Sequence, residues 1–260
     1  MILIPCYNCD DHIQYVIDNL SMNSIQRVSE IIIIDNGSTD NTVRKAVASA
    51  KKRNTDKIKV FVNNANYGLG GTHKVALEYA RKKEYDYLVV LHGDGQANPK
   101  ELDNFIHILD KNYDVDAILG GRFMDLSLIR GYSRIRTFGN IALNWFATVL
   151  SFKRVHDFGA GLNIFNVRSV CSLPLGFFTD ACDFNIYLLF GLLDNNMKII
   201  HIPISWSESG QRSNVTTFGI GFDTLKVILY WRFYGSWRRL FRRGTQTVFK
   251  NRTYKELEIK

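Results

Sequence analysis

Short apolar runs and polar, helix-spaced segments alternate through the first 120 residues. Met1–Pro5, Ile31–Ile34, Ile58–Asn63, Tyr87–Leu91 and Ala117–Leu119 are nearly continuous apolar stretches. Runs of this length predict strands covered on both faces. Between them, Asp11–Leu20 places Ile13, Val16, Ile17 and Leu20 on one helical face. Thr39–Lys52, with Asp40 as its cap, Thr72–Lys83, and Lys100–Lys111 behind Pro99 also read as helices. This alternation predicts an α/β fold with a mainly parallel sheet and right-handed crossovers. The second half is less regular. It predicts a helix over Ser133–Ser151, a strand over Leu162–Asn166, a helix over Asp183–Leu193 and a strand over Lys198–Ile204. Trp206–Asn214 reads as a polar loop and Phe222–Phe241 as a helix. A break near Gly120-Gly121 divides the halves.

In an open parallel sheet, ligands bind in the crevice beyond the carboxyl ends of the strands. Three polar clusters follow apolar runs and fall at that edge: Tyr7-Asn8-Cys9-Asp10, Asp35-Asn36-Gly37-Ser38 and His92-Gly93-Asp94-Gly95-Gln96. Asp35 ends a run of four isoleucines, where a carboxylate can accept a hydrogen bond from a ring N–H or a sugar hydroxyl. His92, Asp94 and Gln96 occupy alternate positions of an extended segment, so their side chains turn the same way. Carboxylate and amide oxygens suit Mg2+ or Mn2+ when a diphosphate completes the shell. The same residues are also compatible with a tight Gly-Asp-Gly turn that holds no metal.

Composition is that of an ordinary globular chain, 46% hydrophobic and 22% charged over 260 residues. The net charge of +8 is unevenly spread: Lys226, Arg232, Arg238, Arg239, Arg242 and Arg243 follow one another with no acid between them. Such a cluster favours an anionic partner, whether a membrane surface, a phosphorylated substrate or nucleic acid. No RNA-binding signature accompanies it, so nucleic acid is not expected. The chain opens directly on a strand, without a signal peptide. Its longest uncharged run, Thr137–Phe152, has sixteen residues. A spanning helix needs about 20. The expectation is a cytoplasmic protein, soluble or peripheral at the cytoplasmic face of a membrane. Cys6 and Cys9 form a CxxC, but Cys171 and Cys182 do not supply a second close pair, so reduced thiols are the default.

The motifs together resemble inverting glycosyltransferases of the GT-A fold, family 2, on the branch that includes the dolichyl- and polyprenyl-phosphate sugar synthases. PCYNCDDHI is similar to that family's P-x-Y-N-x-E opening, and IIIIDNGSTDNT to its V-D-D-G-S-x-D-x-T. NANYGLGGTHKVAL corresponds to N-x-G-x-G-x-A, and LVVLHGDGQANP to D-x-D-x-Q-x-x-P. GGRF, RTFGNIALN, VHDFGAGLNIF and IIHIPISWSESGQRS follow in order. The resemblance runs from residue 2 to about 213 and implies a Rossmann-like GT-A domain over 1–218. Its nucleotide-binding half would be 1–121 and its acceptor-side half 122–218, with a basic, aromatic, amphipathic helical tail over 219–260.

What the resemblance implies is a nucleotide-diphospho-sugar donor and a divalent cation, Mg2+ or Mn2+. Asp35 would contact the base, with Pro5, Tyr7 and Asp10 flanking base and ribose. Gly70 and His92 would lie against the donor, and Asp94 and Gln96 would hold the metal. Arg122, Arg212 and Ser213 would meet phosphate charge, for which an arginine fork is suited. The acceptor would be a polyprenyl phosphate or membrane-linked glycan. A lipid phosphate needs little general base, whereas a hydroxyl acceptor needs a positioned carboxylate. Asp157 is the candidate for that base, with Asp183 or Asp180 second. Three positions depart from the family pattern: His92 replaces the first Asp of D-x-D, Asn36 the second Asp of D-D-G-S, and Asn185 an Asp. Transfer to a soluble sugar or protein hydroxyl, and a catalytically impaired nucleotide-sugar-binding protein, are the rival readings. A membrane surface or an integral membrane partner would substitute for the spanning helices that many relatives carry. The tail's apolar residues, Val227 to Trp231 among them, would either lie in that membrane interface or pack on the protein's own domain.

Overall fold

Ile2, Leu3, Ile4 and the four isoleucines 31–34 are all fully buried, as strands covered on both faces must be. The computed structural model describes residues 1–208, 217–233 and 251–259. The first third runs β1 (Ile2–Cys6), α1 (Ile13–Asp18), α2 (Met22–Arg27), β2 (Ile31–Asp35), α3 (Thr42–Lys52), β3 (Ile58–Asn63). Next come α4 (Gly68–Lys82), β4 (Tyr87–Leu91), α5 (Leu102–Lys111), β5 (Ala117–Gly121) and β6 (Ile129–Arg130). α6 (Arg134–Ser151), β7 (Leu162–Asn166), α7 (Val167–Cys171), α8 (Phe184–Asp194) and β8 (Ile199–Pro203) follow. β9 (Trp206–Ser207), α9 (Thr217–Phe233) and β10 (Tyr254–Leu257) end the described chain.

Eight strands form one sheet in the order β10-β3-β2-β1-β4-β7-β5-β8. β7 runs antiparallel to both β4 and β5, and β10 antiparallel to β3, while the other pairs are parallel. Strand alternation splits the core in two. Leu3, Ile32, Ile34, Leu88 and Val90 face α4, α7, α8 and α9. Ile2, Ile4, Ile31, Ile33, Val89 and Leu91 face α1, α2, α3 and α5. The α/β expectation holds. The Gly120-Gly121 break does not: both glycines lie in β5, and β7 inserts between β4 and β5, so the two halves share one sheet. A Cβ on Gly120 would stand 2.7 Å from the Leu162 carbonyl oxygen, so the glycine serves the close pairing of β5 with β7.

The C-terminal region differs most from expectation. Helix α9 forms, but its Val227, Ile228 and Trp231 are buried in the protein's own core beside Leu143, Phe146 and Leu150 of α6, so these residues do not face a membrane. Residues 254–257, expected within a helical tail, are instead the edge strand of the main sheet, with Tyr254 stacked on Phe61 at 4.7 Å. β-pattern side chains there meet an unpaired strand edge, and an edge is a strong template for pairing. Arg252, just ahead of this strand, donates from Nη2 to both oxygens of Asp180 at 2.6 and 2.7 Å, and Lys74 Nζ donates to the same carboxylate at 2.7 Å. The Thr253 amide donates to the Tyr67 hydroxyl at 3.1 Å. The expected tail is therefore partly an integral strap across the first turn of α4.

Arg252→Ala should remove two charge-assisted bonds made by a nearly buried guanidinium and cost about 2 kcal/mol. Urea unfolding checks this, and an unchanged midpoint would exclude a stabilising role for the strap.

Candidate active site

The carboxyl ends of β2, β1 and β4 carry the three polar clusters side by side. Asp35, the last residue of β2, is buried. Its Oδ2 accepts from the backbone amides of Gly37 (3.0 Å) and Ser38 (2.9 Å). Gly37 reaches this turn with φ of +79°, a conformation that glycine adopts without strain. Asp35 Oδ1 is buried and has no hydrogen-bond partner, so a fixed carboxylate offers one unused acceptor. The neighbouring loop is stitched to it: the Asn8 amide donates to Ser38 Oγ (2.9 Å) and the Cys9 amide to Thr42 Oγ1 (2.9 Å). Pro5 accepts from the Gly93 amide at 3.0 Å, joining β1 to the third cluster. Tyr7 is exposed on the loop. Asp10 accepts from Lys45 Nζ at 3.1 Å, which anchors the loop to α3.

Asn36 is the centre of a buried amide network. Its Nδ2 donates to Asn66 Oδ1 (2.8 Å), and its Oδ1 accepts from Asn63 Nδ2 (3.0 Å) and the Tyr67 amide (2.9 Å). A carboxylate here would lack the donor and would face Asn66 Oδ1, so the departure from the acidic pattern has a local cause. The Asn-rich run from residue 63 to 66 is the sequence signal for this network. Gly70 has a packing role. Its amide donates to the Ala181 carbonyl at 3.2 Å, and a Cβ would stand 2.6 Å from Thr179 O and 2.7 Å from Phe184 Cβ. Gly70 thus makes a tight joint between α4 and the segment before α8.

In the third cluster, Asp94 Oδ1 accepts from the Gln96 amide at 3.1 Å, and the Gln96 carbonyl accepts from Ser207 of β9 at 2.9 Å. Gly95 turns the segment with φ of +69°. Burial pushes the Asp94 carboxyl up, against the lowering effect of the Gln96 amide and the His12 and Arg122 charges. His92, expected to lie against the donor, follows β4 directly. Its ring lies beneath Gly161, 5.8 Å from the ring of His73 on α4. Burial, with the Arg122 charge beside it, lowers its pKa to about 4, so the imidazole is neutral, and Nε2 has no hydrogen-bond partner. Among the described residues no group of three or more His, Cys, Asp or Glu side chains is placed to hold a metal ion. Asp94 and Gln96 supply two oxygen donors on one segment, a set that fits a hard cation whose other ligands are diphosphate and water.

Arg122 and Asp157 meet as a buried fork. Nε donates to Oδ2 and Nη2 to Oδ1, each at 2.8 Å, and the Arg122 backbone amide adds a third bond to Oδ2 at 2.9 Å. The Gly159 amide donates to Oδ1 at 3.0 Å. The guanidinium also lies 4.8 Å from the Trp206 ring and 5.8 Å from that of Tyr132, partners the sequence did not announce. Arg122 keeps Nη1 unengaged among the described residues. Although burial opposes it, the Arg122 charge and the hydrogen bonds hold the Asp157 carboxyl below the ordinary value. A carboxylate with four bonds and a depressed pKa is a poor general base, so the catalytic role expected of Asp157 is replaced by the positioning of Arg122. Asp180 is likewise taken by Lys74 and Arg252. Asp183 stands at the N-cap position of α8, is half-buried, and its carboxylate makes no hydrogen bond or ion pair among the described residues. Asn185 Oδ1 is buried without a partner, facing a small cavity shared with Gly120, Asp157 and Asn163. Arg212 and Ser213 lie outside the described residues.

Asp157→Asn should cost about 3–5 kcal/mol at neutral pH by breaking a buried pair. Because the folded pKa is depressed, the stabilisation is present above the ordinary value of 3.8 and is lost as pH falls below it. Urea titrations should show the wild-type–variant gap narrowing below that pH; a constant gap would argue against the assignment. Asn36→Asp should destabilise by about 1–3 kcal/mol through the unmatched Asn66 acceptor. An unchanged melting temperature would show that the network tolerates a carboxylate.

Comparison with known proteins identifies the arrangement. The family description "Glycosyl transferase family 2" matches residues 1–170. A dolichyl-phosphate β-glucosyltransferase of Dictyostelium discoideum is 24% identical over 245 residues, covering 89% of this chain and 73% of that protein. An undecaprenyl-phosphate 4-deoxy-4-formamido-L-arabinose transferase of Yersinia pestis is 28% identical over 116 residues, 44% of this chain and 34% of the relative. Among solved structures, glucosyl-3-phosphoglycerate synthase of Mycobacterium tuberculosis, in complex with Mn2+, UDP-glucose and glycerol 3-phosphate, superposes with a TM-score of 0.65 at 18% identity. That likeness covers 89% of this chain and 78% of the synthase, and it shows a shared fold. With its family match spanning most of the sheet and every strand end described above, the chain belongs to glycosyl transferase family 2 and is a glycosyltransferase.

Proposed function

We propose that the protein transfers a sugar from a nucleoside-diphosphate donor to a polyprenyl phosphate, with inversion at the anomeric carbon. The observation that carries the donor half is Asp35: one oxygen is fixed by two backbone amides and the other is buried and unused. That oxygen accepts an N–H of the base. The ends of β2 and β4 flank β1, about 10 Å apart by sheet spacing, the scale of a nucleoside diphosphate. Asp94 and Gln96 would hold a divalent ion, which when bound offsets the negative charge developing on the leaving diphosphate. Mn2+ accompanies UDP-glucose in the mycobacterial synthase.

Arg122, held in place by Asp157, presents Nη1 toward phosphate charge. An oxygen of the acceptor phosphate attacks the anomeric carbon as the bond from that carbon to the diphosphate oxygen breaks. The electron pair leaves with the nucleoside diphosphate, and no proton need be removed from an ionised phosphate. The polyprenyl acceptor is supported by the Dictyostelium and Yersinia relatives, whose names specify lipid-phosphate acceptors. Asp183 favours a second reading, transfer to a hydroxyl, because a carboxylate with no hydrogen bond or ion pair among the described residues can serve as base.

The decisive assay is transfer from a panel of nucleotide sugars with Mn2+ or Mg2+, with and without polyprenyl phosphate. Product only with the lipid phosphate, and Asp183→Asn within about threefold of wild type, is expected if no base is needed. A loss of about a hundredfold or more in Asp183→Asn, with turnover on a hydroxyl acceptor, would favour the second reading. Asp35→Ala should weaken nucleoside diphosphate binding about tenfold, the loss of one hydrogen bond to a charged group. Calorimetry reads this directly, and unchanged affinity would move the base away from Asp35.

A further inference from the structure

Helix α6 turns Leu143, Phe146, Ala147 and Leu150 toward the core and α9, with polar side chains inward beside them. Asn144 is buried and donates to the His156 carbonyl at 2.7 Å, Asn140 donates to the Tyr132 hydroxyl at 2.8 Å, and Thr148 Oγ1 accepts from the Val155 amide at 2.9 Å. A second set of large apolar side chains points out. Ile135 is 77% exposed, Phe138 76%, Ile141 47%, Trp145 66%, Val149 46% and, just past the helix, Phe152 85%. At 3.6 residues per turn these six fall within an arc of about 120°. A helix facing water carries the opposite pattern. A continuous stripe of this kind marks a surface that meets something apolar.

The chemistry around the stripe selects the partner. Arg134 and Arg154 are exposed at its two ends, and no acidic residue lies between them. α9 packs alongside α6. At the C-terminal ends of the two helices, the Arg232 guanidinium lies 5.9 Å from the ring centres of Phe152 and of the exposed Phe233. Aromatic and aliphatic side chains level with cations fit the boundary between acyl chains and anionic headgroups. No helix among the described residues is long and apolar enough to cross a membrane, so the stripe would lie along the bilayer.

We propose that the outer face of α6, with the C-terminal end of α9 beside it, docks on an anionic lipid bilayer. The inner face of the same helix reaches the Arg122–Asp157 joint through Tyr132, beneath Arg122, and through Asn144, which holds the residue before Asp157. One helix diameter, about 10 Å, thus separates the headgroup plane from the acceptor side of the site. The proposal deepens the lipid-phosphate reading and, in its bearing on the acceptor, rests on it.

The test is sedimentation of the full chain with phosphatidylcholine vesicles with and without phosphatidylglycerol, for wild type and Phe138→Glu/Trp145→Glu. Wild type should bind the anionic vesicles, and the double variant at least about tenfold less. Quenching of tryptophan fluorescence by brominated acyl chains, lost in Trp145→Phe, reads the same contact without a charge-reversed variant. No wild-type sedimentation, equal sedimentation of the double variant, or a wild-type dimer dissociated by these substitutions would overturn the proposal. Metal-dependent binding of UDP and GDP, measured in solution on both proteins, reports the donor site separately. A wild type that binds vesicles and no nucleoside diphosphate would keep the docking surface and overturn the donor reading.

Discussion

The site is organised around one buried ion pair. Arg122 leaves the end of β5, and Asp157 stands at the start of the segment that returns as β7, antiparallel between β4 and β5. Their fork closes the seam where the parallel order of the sheet is interrupted. Burying both charges is costly, and here the cost is offset by two side-chain bonds, two backbone amides and three aromatic rings around the guanidinium. Trp206 of β9 and Tyr132, ahead of α6, pack around that cation, so this side of the crevice takes its form from the pair.

The Asp35 side is held differently. Between β2 and α4 there is little charge and much amide: Asn36, Asn63 and Asn66 exchange hydrogen bonds and tie the Asp35 loop to the first turn of α4. The strap from Arg252 to Leu257 braces that turn from outside through Tyr67 and Asp180. Here a carboxylate is kept rigid by neutral partners, whereas across the crevice a cation is kept rigid by an anion.

Much of this was legible in the chain. The isoleucine run, the strand–helix alternation and the polar clusters at strand ends gave the sheet and its chemical edge, because burial on both faces writes a continuous apolar signal. Asp35 and Asp94 stood out for the same reason: one ends β2 and the other follows β4 by three residues, so both fall at the carboxyl edge of the sheet. What the sequence hid were partnerships across long separations. Nothing local shows that Asp157 spends its lone pairs on Arg122, that the amides of Gly70 and Gly71 are used by the chain at 180–181, or that His92 turns under Gly161 toward His73. The C-terminal residues misled because a short polar strand at a sheet edge carries no periodic signature, and because the aromatic content of α9 suits a protein core as well as a lipid surface.

The edge strand also bears on how the chain assembles. β10 pairs with β3, although Tyr254 and Asn63 are separated by most of the sequence. Until residues 254–257 leave the ribosome, β3 presents an open row of amides and carbonyls flanked by apolar side chains, the kind of edge that recruits other chains. Closing it is a long-range step that comes slowly compared with the local strand–helix units. Solubility during synthesis would then depend on how quickly this strand finds the sheet.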